Sequence, residues 1–256
     1  MTIMTVFKKL SLLLAPVFLL IFTSQLYSGE NPTELFQKGN RYYDSGNFKS
    51  AIKTYQQLLD RGIKDATVYY NLGSAYFRDK WLGKAILYYR KAQKLSPRDN
   101  DIATNLNYSR LFVLDKIKDS PNFSSVFTDK ILNWGTVNEF TFLTFLFYLG
   151  SASLGMVTFF KREKIIRRVL AIFVVLFLIL LFFATIKISR DSGWQEAVVT
   201  SSAVEVYSGP GKEFTLQFTG HEGLEVKIEQ KKDDWYLVSL PNGARGWLPQ
   251  ASLEEI

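Results

Sequence analysis

The chain has 256 residues, a formal charge of +7, 47% hydrophobic residues and 21 phenylalanines, more apolar mass than one or two small water-soluble cores require, so part of it is assigned to lipid. The absence of cysteine excludes disulfides, thiolate metal sites, a lipoprotein anchor and a cysteine nucleophile, and a single histidine, His221, argues against a histidine metal site. The lysines and arginines are mostly scattered rather than gathered into a patch, which argues against nucleic acid as a partner; no cofactor is expected.

The N-terminus carries Lys8 and Lys9, then an apolar stretch from Leu10 to Phe22, then Thr23, Ser24, Ser28 and Gly29. This is the three-part layout of a secretory signal, assigned to residues 1–28. Leu26 is large for the position three before a cut at Ser28, so a cleaved signal peptide and an uncleaved signal anchor both stay open. Either outcome places the following residues outside the cytoplasm.

From Asn31 to Pro97 the sequence repeats with a period of 34: Gly39 with Gly73, Tyr42 with Tyr76, Ala51 with Ala85, Tyr55 with Tyr89. That is the length of a tetratricopeptide repeat, a pair of antiparallel helices. The glycines and alanines are expected to let paired helices approach, and the tyrosines to fill the space between pairs. A third copy begins at Asn100 but loses the glycine at Asn107, so Asp101 to Lys116 is expected to be a capping helix, with the repeat domain occupying residues 31–118. Two repeats and a cap are a small solenoid core, and a partner or a second copy is expected to cover an exposed end. First helices of such repeats line a concave surface that takes extended peptides or helices. The lining candidates are Phe36 and Tyr70, Asn40 and Ser74, Tyr43 and Phe77; the bland alternative is that these aromatics pack between helices.

A linker, 119–139, precedes two apolar runs, Phe140 to Phe160 and Val169 to Ile186, each long enough to cross a bilayer and apolar on all faces. Transmembrane helices are therefore expected at 140–160 and 169–188. The turn between them, 161–168, holds five positive charges and one negative, which places it in the cytoplasm and both flanking domains outside. Trp134 and Trp194 fall near the outer ends of the spans, where aromatic side chains favour the interface. On this reading the two outer domains are joined only by the hairpin.

Residues 197–256 change to a period of two, as in Val204-Glu-Val206, Leu224 to Ile228 and Trp235 to Val238, with turns at Ser208 to Gly211, His221 to Gly223, Lys232 to Asp234 and Pro241 to Gly243. Five short strands closing a small barrel are expected. Val204 to Pro210, Trp235 and Gly246-Trp-Leu-Pro249 resemble the opening strand, central strand and pre-3₁₀ strand end of a bacterial SH3-like domain. Tyr207, Trp235, Trp247 and Pro249 are its candidate groove, the alternative being that the tryptophans mainly stabilise the barrel. His221 is read as a turn residue rather than a catalytic one.

The expected architecture is thus multi-domain: all-α repeats, a two-helix transmembrane hairpin and a small all-β SH3-like barrel. This order, including the His-Glu-Gly turn, resembles the BatE-type proteins of the Bacteroides aerotolerance group. The resemblance implies a component of an envelope complex with partners bearing von Willebrand factor type A domains, linked to stress or oxygen tolerance, and leaves the molecular activity undefined. The modules and the charged turn suggest a non-enzymatic scaffold of the bacterial inner membrane whose repeats hold a partner protein in the periplasm. The alternative is an accessory protein that binds peptidoglycan through the barrel.

Overall fold

The computed structural model of the chain describes residues 31–116, 131–132, 134–161, 163–193 and 195–256. The signal segment, Trp194, Arg162 and most of the expected linker lie outside the described residues.

Five helices form the repeat region: α1 (Pro32–Asp44), α2 (Phe48–Asp60), α3 (Ala66–Arg78), α4 (Leu82–Leu95) and α5 (Asn100–Arg110). Their starts are written locally. The side chains of Asn31, Asn47, Asp65 and Asp99 accept backbone N–H groups of the first turns of α1, α2, α3 and α5, satisfying donors that have no partner inside a helix. The helix expected from Asp101 to Lys116 ends at Arg110, and residues 111–116 continue without helix, beginning with a turn at Leu111 and Phe112.

The 34-residue period has a contact behind it. A Cβ on Gly39 would stand 2.5 Å from the Tyr55 ring, and one on Gly73 2.9 Å from the Tyr89 ring. Each tyrosine therefore seals the gap inside its own helix pair, not the space between pairs. Ala51 and Ala85 are fully buried beside them.

Two further helices, α6 (Val137–Phe160) and α7 (Lys164–Gly193), are long and apolar enough to cross a membrane. Thr136 and Glu139 close a reciprocal capping box at the start of α6. Phe147 meets Phe173 at 5.4 Å and Tyr148 meets Phe177 at 5.9 Å, holding the hairpin together. Most of the remaining apolar surface, Phe142, Phe159 and Ile172 for example, points outward, as lipid-facing side chains do. Helix α7 resumes at Lys164, so Lys164, Arg167 and Arg168 stand on its first turns rather than in an eight-residue loop; lysine and arginine are good helix formers, and Ile165 and Ile166 extend the apolar run into them.

The C-terminal part is a seven-stranded antiparallel sheet: β1 (Gln195–Val199), β2 (Ala203–Tyr207), β3 (Leu216–His221), β4 (Glu225–Lys232), β5 (Trp235–Ser239), β6 (Arg245–Pro249) and β7 (Leu253–Glu255), in the order β3-β2-β6-β5-β4-β1-β7. Every strand contributes to one core, β3 through half-buried Phe218 and the others through buried side chains, so the sheet curls around it. Seven strands replace the five expected. β1 escapes a period-two reading because Ala197, Val198 and Val199 are all fully buried: Ala197 and Val199 face the barrel core, whereas Val198 belongs to the repeat core. A strand covered on both faces reads as a continuous apolar run.

Val198 marks the main departure from expectation. The barrel packs directly on α4 and on the segment after α5, with Val113 buried in the same cluster as Val198 and Ile256 packed against it. Arg90 pairs with Glu196 and with Glu225, Arg110 with Glu225, and Lys84 with Glu254. The two domains are therefore joined by an interface as well as by the hairpin, and both lie on one side of any membrane that α6 and α7 cross.

Candidate functional site

The six candidate residues on the first helices of the repeats divide into two groups. Phe36 leans on Tyr55 at 6.0 Å and Tyr70 on Tyr89 at 5.8 Å. The Tyr55 hydroxyl donates to Asn40 Oδ1 at 2.7 Å, and the Tyr89 hydroxyl to Ser74 Oγ at 3.0 Å. Asn71 Nδ2 also donates to Asn40 Oδ1 at 3.1 Å, and Asn105 Nδ2 to the Tyr70 hydroxyl at 2.6 Å. These contacts tie each first helix to its partner and to the next first helix, so Phe36, Asn40, Tyr70 and Ser74 have work inside the fold. Burial pushes the Tyr89 phenol up to about 12 and raises those of Tyr55 and Tyr70, so these hydroxyls stay neutral.

Tyr43 and Phe77 lie at the other end of the helices. Tyr43 meets Phe48 edge-on at 5.4 Å, and the Arg78 guanidinium sits 4.9 Å above the Phe48 ring. Phe77 contacts Tyr108 at 5.8 Å and Phe112 at 5.7 Å, and those two meet at 5.1 Å. Tyr108, Leu111 and Phe112 are 51%, 69% and 54% exposed. Three apolar side chains clustered and open to solvent form the sort of patch that marks an interaction surface. Sequence reasoning passed over them, although the signal was present: Tyr108 and Leu111 stand 34 residues after Ser74 and Phe77. Treating the third copy as a cap hid their equivalence to the groove positions.

On the barrel the register brings the four candidates together. Trp235 is paired with Pro249, and Trp247 with both Leu237 and Tyr207. Tyr236, Val238 and Leu248 alternate with them and are buried in the core, so Trp235, Leu237, Trp247 and Pro249 share the outer face. A register shift between Val206 and Tyr207 turns Tyr207 onto that face, with its ring 5.9 Å from Trp235 and nearly perpendicular. Its hydroxyl donates to Glu205, which holds the phenol above its ordinary range. Beside Pro249 opens a hollow of about 780 Å³ lined by Asp234, Tyr236, Gln250 and Leu253, large enough for a small ligand. The two tryptophans thus stand on the outer side of the sheet, half exposed, instead of filling its core.

His221 closes β3, and its ring Nδ1 lies 3.0 Å from Asp115 Oδ1 in the segment after α5. Among the described residues no three histidine, aspartate or glutamate side chains gather as metal ligands would.

The family model of the tetratricopeptide repeat matches residues 36–100, and that of the bacterial SH3 domain matches residues 200–255. No curated protein matches the chain. The chain therefore carries tetratricopeptide repeats, two apolar helices that could span a membrane, and an SH3-like domain. Repeats of this kind point to protein partners, the bacterial SH3 domain to the cell envelope and its wall; both are typically interaction modules rather than catalysts.

Proposed function

We propose that the chain is a non-enzymatic scaffold of the bacterial inner membrane that holds a partner protein in the periplasm on the aromatic end of its repeats. The observation that carries this reading is the pair of exposed rings, Tyr108 and Phe112, seated on half-buried Phe77, with exposed Leu111 next to them in the chain. Exposed aromatic anchors of this kind supply most of the energy in protein interfaces. A photo-crosslinking side chain at position 108 in intact cells should trap one envelope protein, and Phe77→Ala with Phe112→Ala should reduce that product at least about tenfold. An undiminished product would move the site elsewhere. The order of modules extends the proposal to a Bat-type stress or aerotolerance complex, whose partners would carry von Willebrand factor type A domains; identification of the trapped protein tests that extension.

The periplasmic placement rests on Lys161, Lys164, Arg167 and Arg168 at the hairpin turn. Because the chain lacks cysteine, single cysteines report topology cleanly. A membrane-impermeant maleimide applied to spheroplasts should label Asn107→Cys and Lys212→Cys, and should reach Glu163→Cys only after lysis. Labelling of position 163 in intact spheroplasts would invert the topology.

A second reading, wall binding by the barrel, is favoured by the outward Trp235 and Trp247. Co-sedimentation of the detergent-solubilised chain with purified sacculi, lost in Trp235→Ala with Trp247→Ala, would support it.

A further inference from the structure

We infer that the His221-Glu222-Gly223 turn of the barrel is a docking element for the second repeat, and that this contact makes the two stretches of chain flanking the membrane hairpin one cooperative folding unit. The first ground is a missing cap. Among the described repeat helices α4 alone has an N-cap residue, Trp81, with no side-chain cap bond. The Glu222 carboxylate, 139 residues on, supplies an acceptor there: its Oε2 lies 3.4 Å from the Gly83 N–H in the first turn of α4. A carboxylate at this end also meets the positive end of the helix dipole.

The second ground is steric. A Cβ on Gly83 would stand 2.5 Å from the Val199 carbonyl oxygen and 3.2 Å from the Gly223 nitrogen. Gly223 itself, at φ +87°, leaves no room for a side chain, since a Cβ there would meet Val113 at 2.8 Å and Ile86 at 3.0 Å. At Gly83 backbone therefore meets backbone across the seam and the glycine is not explained by its own domain, whereas Gly223, already favoured by the positive φ of its turn, also makes room for Val113 and Ile86 of the repeat side. Gly83 is unfavourable for the helix that contains it.

The remaining contacts surround this seam. The His221 N–H donates to Asp115 Oδ2 at 2.7 Å while the ring faces Oδ1, which ties the barrel to the chain leaving α5. Glu196, Glu225 and Glu254 of the barrel oppose Arg90, Arg110 and Lys84 of the repeats, a complementary charge pattern that sets orientation. The aromatic cluster of the repeats and the Trp235–Trp247 face take no part in the seam, so docking leaves both open.

Gly83→Ala discriminates between independent and joined domains because the two cases predict opposite signs. A free repeat gains from alanine in α4, whereas a docked one must move the Val199 carbonyl. In the full chain reconstituted in nanodiscs, Gly83→Ala is expected to lower the unfolding midpoint by about 5 °C or more and to speed amide exchange in α4 and β1 together. A raised or unchanged midpoint, or faster exchange in α4 alone, would overturn the inference. A second measurement does not depend on that variant folding. With no native cysteine to interfere, Lys84→Cys with Glu254→Cys treated with a short bis-maleimide should give a link within one chain. Absence of a link, or a link between two chains, would also sink the proposal.

Discussion

Replacing Tyr55 with alanine is expected to destabilise the repeats by about 3–5 kcal/mol, the range for removing a large aromatic ring from a core. Tyr55 is 1% exposed, its ring fills the notch over Gly39, and its hydroxyl donates to Asn40. Removing it opens a cavity between α1 and α2 that rigid helices cannot collapse into. Tyr55→Phe keeps the ring and loses one hydrogen bond, at a cost of about 0.5–1.5 kcal/mol. Thermal unfolding of the two variants beside the unmodified chain measures the difference. If the phenylalanine variant were as unstable as the alanine one, the ring over Gly39 would not be the element that holds the pair together. Because small domains are stable by only about 5–15 kcal/mol, Tyr55→Ala should leave the first repeat partly open at growth temperature.

The second large effect is expected at Glu225. Its two carboxylate oxygens accept Arg110 Nε at 2.6 Å and Nη2 at 2.9 Å, and Arg90 Nε stands 3.0 Å from Oε2. Arg90 and Glu225 side chains are 20% and 26% exposed. Glu225→Ala leaves Arg90 with Glu196 as its remaining acidic partner and takes the bidentate partner from Arg110, and should cost about 2–4 kcal/mol, near the lower end of what a broken buried pair costs because Glu196 remains and some solvent reaches the site. The pair Lys231–Glu255 at the barrel surface provides the contrast: with both side chains about two-fifths exposed, Glu255→Ala should shift stability by no more than about 0.5 kcal/mol. Equal effects at the two sites would show that the interface charges are no better shielded than a surface pair. The loss at Glu225 should appear in both domains, since the interface is shared.

Much of the architecture was legible because it depends on local or periodic signals. Four repeat helices announced themselves by a 34-residue period whose glycines and tyrosines are in contact, and the two long apolar helices by their length and composition. Trp235, Trp247 and Pro249 could be placed together because strand alternation puts residues two apart on one face. What escaped was decided by contacts between distant stretches. β1 is buried on both sides by two different cores, so its sequence lacks alternation. His221 looked like an ordinary turn residue because Asp115, its partner, is 106 positions away. Tyr108 and Leu111 carried the right period but sat in a copy without its glycine.

The sequence by itself therefore determined the modules and their order, both properties of composition and short-range repetition. Only the tertiary structure decided that the barrel rests on the second repeat. That choice depends on two glycines, 140 residues apart, allowing backbones to meet, and on acidic and basic side chains that face each other only after the α6–α7 hairpin has brought the chain back to the end from which it left.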